Sequence, residues 1–125
     1  MPSKKSRGGY EEGREAHDHA LNALSYLLNE PWSYEVLGLV RYELGQAYFI
    51  LKRHMKSETC ICGHGPEDLV LFKTLLILVN SSIANASLRP IPIVVEELKN
   101  YFSSKKLSHH CISFILNKHA MTYDV

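Results

Sequence analysis

The chain has 125 residues, 46% of them hydrophobic and 22% charged, which is enough for one core and too little for two independent domains. Fourteen Lys and Arg against thirteen Asp and Glu leave a formal net charge of +1, so global charge gives no signal for nucleic acid or an acidic membrane. Three cysteines, Cys60, Cys62 and Cys111, are odd in number and too few for a disulfide framework, which points to a reducing, intracellular compartment, cytoplasmic or nuclear.

Residues 1–9 (MPSKKSRGG) are polar and basic and end in two glycines. They read as a flexible tail ahead of a single helical domain over residues 10–125. No apolar run follows Lys4, Lys5 and Arg7, so the start does not read as a secretory signal. From about Glu11, the residues Ala16, Ala20, Ala23, Leu24, Leu27 and Leu28 recur at spacings that make one stripe of a helix. His17, Asp18 and His19 fall on other faces of that helix and read as solvated. Asn29-Glu30-Pro31 ends the helix, because a proline disfavours helical geometry at the residue before it. Ser33 is placed to cap the next helix.

The second helix is expected from Tyr34 to about His54. Leu37, Val40, Leu44, Ala47 and Leu51 alternate steps of three and four, a seam suited to packing on another helix. Tyr34, Val36, Tyr42, Tyr48, Phe49 and Ile50 extend apolar character around the cylinder, more than one core consumes. Gly38 and Gly45 lie seven apart and so face the same way. Each costs about 1 kcal/mol relative to Ala, and close approach of a neighbouring backbone is the expected reason. Leu44-Gly45 with Ala47, Tyr48 and Phe49 resembles the first helix of a tetratricopeptide repeat. The resemblance covers that one helix, and no self-similarity at about 34 residues follows it.

The loop Ser57–Pro66 gathers Cys60, Cys62 and His64 close behind His54. Thiolate and imidazole are zinc ligands, and Cys111 would complete a set of four if the end of the chain docks on this loop. The spacing is tighter than structural zinc sites use, so metal stands as an alternative and no other cofactor is inferred. A third helix starts near Glu67 and Asp68, acids suited to a helix N-terminus, and runs to about Ala86. Its stretch Leu69–Val79 is the most apolar in the chain, yet it is too short to span a bilayer and contains Lys73. A buried central helix is the expectation.

Arg89-Pro90-Ile91-Pro92 is expected to be extended, because two of its residues precede prolines. A fourth helix follows over about Ile93–Ser103, with Val94, Val95, Leu98, Tyr101 and Phe102 on its inner side. Ser108 caps a fifth, to His119, with Cys111, Ile112, Ile115 and Leu116 at helical spacing. From Lys99 to Tyr123 there are four lysines and no acid. These two helices resemble a helix-turn-helix, and LSHHCISFILNKH resembles its recognition helix. The resemblance implies that Ser108, His109, His110, Ser113 and Asn117 reach base edges while Lys105, Lys106 and Lys118 contact phosphates.

No nucleophile elbow, phosphate loop or HExxH occurs in the chain, so neither a catalytic residue nor a small-molecule substrate is inferred. The expected fold is all-α, a compact bundle of about five helices. The expected function is a non-catalytic protein–protein interaction module, a subunit of an assembly or a homo-oligomer. Its expected working surface is Tyr34, Tyr42, Tyr48 and Phe49 on the second helix, because aromatic residues are enriched at interfaces. No membrane association is expected. A nucleic-acid-binding helix-turn-helix and a small metal-stabilised domain are the alternatives.

Overall fold

A computed structural model describes residues 8–56 and 65–104, with side chains placed over 14–53 and 65–104. The described residues form four helices and no strand: α1 (Gly8–Leu27), α2 (Tyr34–Lys56), α3 (Pro66–Asn85) and α4 (Ile91–Ser104). Four of the about five expected helices thus fall among the described residues, and the expected fifth, Ser108–His119, lies outside them. Each helix packs on the next and α4 closes back onto α1. His19 of α1 meets Glu43 of α2, and Arg41 of α2 meets Asn80 of α3. The end of α4 returns to the beginning of α3 through Tyr101 and Phe72. Neighbours in this ring accordingly run antiparallel, as short connections favour.

The core is built from one stripe per helix. Ala16, Ala20, Ala23, Leu24 and Leu27 come from α1, and Leu37, Val40, Leu44, Ala47, Ile50 and Leu51 from α2. Phe72, Leu75 and Val79 of α3 and Ile91, Val94, Leu98 and Tyr101 of α4 complete it. The alanines of α1 let that helix lie close along α2, and each large aliphatic residue removed from water contributes about 1.5–3 kcal/mol. Leu28, expected on the α1 stripe, falls past the last helical residue and is exposed.

Local chemistry sets the helix ends. The Trp32 indole N–H donates to the Leu27 carbonyl at 2.8 Å, satisfying an acceptor that the end of α1 would otherwise leave open. Ser33 caps α2 as its sequence position suggests: its hydroxyl accepts the Val36 N–H at 3.1 Å and its carbonyl accepts the Leu37 N–H at 3.0 Å. At the start of α3 the Asp68 carboxylate accepts the Gly65 N–H at 3.0 Å, while the Asp68 N–H donates to the Gly65 carbonyl. The other end of α3 closes with Ala86 in the left-handed region (φ 49°) and the Ser87 N–H on the Ser82 carbonyl, a Schellman arrangement.

Two expectations are corrected here. Pro90-Ile91-Pro92 is not extended: Ile91 opens α4, and the Val94 N–H reaches the Pro90 carbonyl. A proline in the first helical turn gives up an N–H that has no intrahelical partner there, so Pro92 is accommodated despite the restriction it places on Ile91. Nor is α3 a central, surrounded helix. It buries Phe72, Leu75 and Val79 but leaves Val70 and Ile77 exposed, because in a ring of four each helix keeps one face outward. No described helix is long and apolar enough to cross a membrane.

Candidate interaction surface

On an α-helix, residues four and seven apart share a face. That rule places Tyr34, Gly38, Tyr42, Gly45 and Phe49 along one line of α2, on the side opposite Leu37, Val40, Leu44, Ala47 and Leu51. The structure separates the two sets accordingly. The second is fully buried, whereas Tyr34, Tyr42 and Phe49 are 44%, 60% and 65% exposed. The α2 helix is thus apolar on two opposed faces, only one of which the bundle uses.

Tyr48 behaves differently from the other three aromatics predicted for this surface. It sits a step around the helix, half-buried against the core, with its ring edge-on to Phe49 at 6.0 Å and the Lys52 ammonium 5.7 Å from its centre. It steadies Phe49 more than it offers itself to a partner. The glycines also depart from expectation. A Cβ built on Gly38 or Gly45 would have no neighbouring atom within 4 Å. No described backbone approaches them, so the helix-weakening glycines are unexplained by packing inside the bundle. They leave two shallow gaps between Tyr34, Tyr42 and Phe49.

The flanks of this face are fixed by polar contacts to both neighbouring helices. On the α1 side Glu43 takes His19 Nδ1 at 2.7 Å and Asn22 at 3.3 Å. On the α3 side the Arg41 guanidinium donates to the Asn80 side chain at 3.4 Å. His19 is thereby held in a partly buried contact rather than in the solvated setting its sequence position suggested. His17 is likewise half-buried, its ring perpendicular to Phe102 with centroids 4.8 Å apart. The closure of α4 onto α1 puts it there, and no local pattern in α1 signals it.

No family model, curated protein or solved structure matches the chain.

The remaining predicted site residues fall outside the described part. These are Cys60, Cys62, His64 and Cys111 of the metal alternative, and Lys105, Lys106, Ser108, His109, His110, Ser113, Asn117 and Lys118 of the nucleic-acid alternative. Among the described residues no three His, Cys, Asp or Glu side chains group as metal ligands. The polar feature that sequence reasoning missed is the burial of Asp68 and Tyr101 along the same stretch of the α3–α4 boundary. Burial first, and the nearby Asp68 carboxylate second, push the Tyr101 phenol well above its ordinary pKa. An acid in the first turn of α3 was legible as a helix-dipole partner, but its burial beside a tyrosine 33 positions away was not.

Proposed function

We propose that the protein is a non-catalytic, intracellular interaction module that docks a protein partner, or a second copy of itself, on the outer face of α2. The observation that supports this reading is the line of Tyr34, Tyr42 and Phe49, all substantially exposed, interrupted by two glycines with open space above them. Isolated exposed apolar residues are ordinary. Three aromatics in line on one helix are not, since Tyr and Phe supply large contact area with few rotatable bonds. The glycines would let a partner helix or strand come close to the α2 backbone between them.

The decisive measurement is mass against concentration by light scattering or sedimentation, on the full chain and on Tyr42→Glu with Phe49→Glu. Neither side chain belongs to the core, so the fold should survive. Self-association that the double variant abolishes supports the reading directly. If the wild-type chain is monomeric, a photo-crosslinking residue at position 42 should capture a partner that the same residue at the exposed position 73 does not. Equal capture at both positions would remove α2 as the working surface.

A second reading has the basic end of the chain as a helix-turn-helix whose first helix is α4. Its support is the acid-free run from Lys99 to Tyr123, which would contact phosphates through Lys105, Lys106 and Lys118. Retention on DNA at low salt that is lost in Lys105→Glu with Lys106→Glu would favour it. The metal alternative through Cys60, Cys62, His64 and Cys111 predicts that chelation lowers the melting temperature.

A further inference from the structure

Two apolar surfaces stay uncovered among the described residues. One is a groove of about 380 Å³ between α3 and α4, lined by Val70, Thr74, Leu78 and Ile93, with Glu67 and Glu97 bordering a mouth that continues to Ser104. The other is the outer face of α2, and there the order of residues selects an occupant. Glu35, Tyr42 and Phe49 recur every seven residues, and Gly38, Gly45 and Lys52 recur every seven residues, three positions behind them. Two such offset sets make the seam along which one helix packs on another. The first set supplies an acid and two rings, the second two bare glycines and a cation. Glu35, Tyr42, Phe49 and Lys52 are exposed, and open space lies over both glycines. Lys52 rests over the Tyr48 ring of its own chain at 5.7 Å, a contact through the ammonium's charge that leaves its hydrogen-bond donors available.

The two ways of pairing α2 with another α2 differ sharply. In a parallel pair each seam position meets its own counterpart. Tyr42 would oppose Tyr42 and Gly38 would oppose Gly38, so the layers would alternate between overfilled and empty, and Glu35 and Lys52 would each face a like charge. An antiparallel pair is related by a twofold axis perpendicular to the helices, which reverses the order and sets one group of positions against the other. With that axis at the height of residues 43 and 44, Glu35 shares a layer with Lys52 of the second copy. Gly38 shares one with Phe49 of the second copy, and Tyr42 with Gly45. The axis then repeats the three layers in reverse, so every layer holds a ring over a glycine or an acid beside a cation.

We infer that the occupant of the α2 face is the α2 face of a second copy, antiparallel and in this register. This rests on α2 being the working surface and adds which partner it takes and how. It also gives the glycines a use that packing inside the bundle does not. Without Cβ atoms the two helix axes can approach to about 8 Å, the near end of the range for packed helices. The area is sufficient. A covered Phe or Tyr buries roughly 150–250 Å², so the exposed fractions of Tyr34, Tyr42 and Phe49 amount to about 350 Å² per copy and about 700 Å² for the pair. Leu39, 47% exposed beside the seam, and the surrounding helix surface bring the contact to the roughly 1,000 Å² that a specific interface needs.

Sedimentation equilibrium of the full chain measures the dimer Kd and tests the register by charge exchange. Glu35→Lys and Lys52→Glu each place like charges in two layers and should each weaken the dimer about tenfold at low salt. Carried together in one chain, the two changes should return Kd to within about threefold of wild type. The positions lie about 25 Å apart along one helix, so recovery can come only from contact between copies, and only the antiparallel pair brings them together. Both side chains are exposed, and helical content in all three variants checks that the fold is kept. A wild-type chain that stays monomeric up to about 1 mM overturns the inference, as does a double variant no tighter than either single one. Both results leave α2 standing as a surface for another partner, which the crosslink at position 42 decides. Self-association that Tyr42→Glu with Phe49→Glu leaves intact would remove the register and the surface together.

Discussion

Ser82 and Tyr101 show what single buried polar atoms do in a bundle this small. Ser82 is fully buried, and its hydroxyl oxygen has no hydrogen-bond partner among the described residues. A buried hydroxyl left unsatisfied costs about 1–3 kcal/mol. Ser82→Ala removes that cost and puts a better helix former near the end of α3. It should raise the midpoint of urea unfolding by the equivalent of about 1 kcal/mol, and a lowered midpoint would show that the hydroxyl is satisfied after all. Tyr101 makes the opposite point, because its phenol is buried against Phe72 and close to Asp68. The folded protein holds the phenolic proton where the unfolded chain releases it. The stability Tyr101 contributes is therefore fully present below about pH 10 and declines above it by about 1.4 kcal/mol per pH unit. In Tyr101→Phe that extra decline should vanish from the difference between unfolding curves at pH 9 and pH 11, whatever the variant loses at neutral pH.

At the scale of elements, the inward stripes of α1, α2 and α4 were readable because helix periodicity and burial coincide there. The seam Leu37, Val40, Leu44, Ala47 and Leu51 is buried without exception. Periodicity failed where more than one stripe of a helix is apolar. In α3, Val70 and Ile77 match Phe72 and Leu75 in hydrophobicity yet stand exposed, since which face points inward depends on the neighbours. The glycines of α2 illustrate the same limit. Their shared face was plain from the seven-residue spacing, but the backbone approach expected above it is absent among the described residues. Gly38→Ala and Gly45→Ala should consequently each stabilise the isolated protein by about 1 kcal/mol through helix propensity alone. Together they should lift the melting temperature by roughly 8 °C or more. If α2 docks a partner across those gaps, the same pair of methyl groups should weaken that association, a cost visible only when partner affinity is measured beside stability.

At the scale of the whole molecule, the ring of four antiparallel helices leaves two apolar surfaces uncovered among the described residues. One is the outer face of α2, flanked by the His19–Glu43 and Arg41–Asn80 contacts that hold it between α1 and α3. The other is the α3–α4 groove with its acidic mouth. A net charge of +1 provides little self-repulsion between copies of the chain.

The residues alone were enough to show that the described part is all-α, where α2 begins and which stripe of it is buried. These depend on helical period and on capping chemistry, which act over a few residues. That Tyr48 sits half-buried while Tyr34, Tyr42 and Phe49 stay exposed follows from how the helices pack. The same holds for the packing of His17 beneath Phe102, the burial of Asp68 near Tyr101, and the groove that opens at Ser104. Each of those depends on which helix lies beside which, a choice made by contacts between residues far apart in the chain.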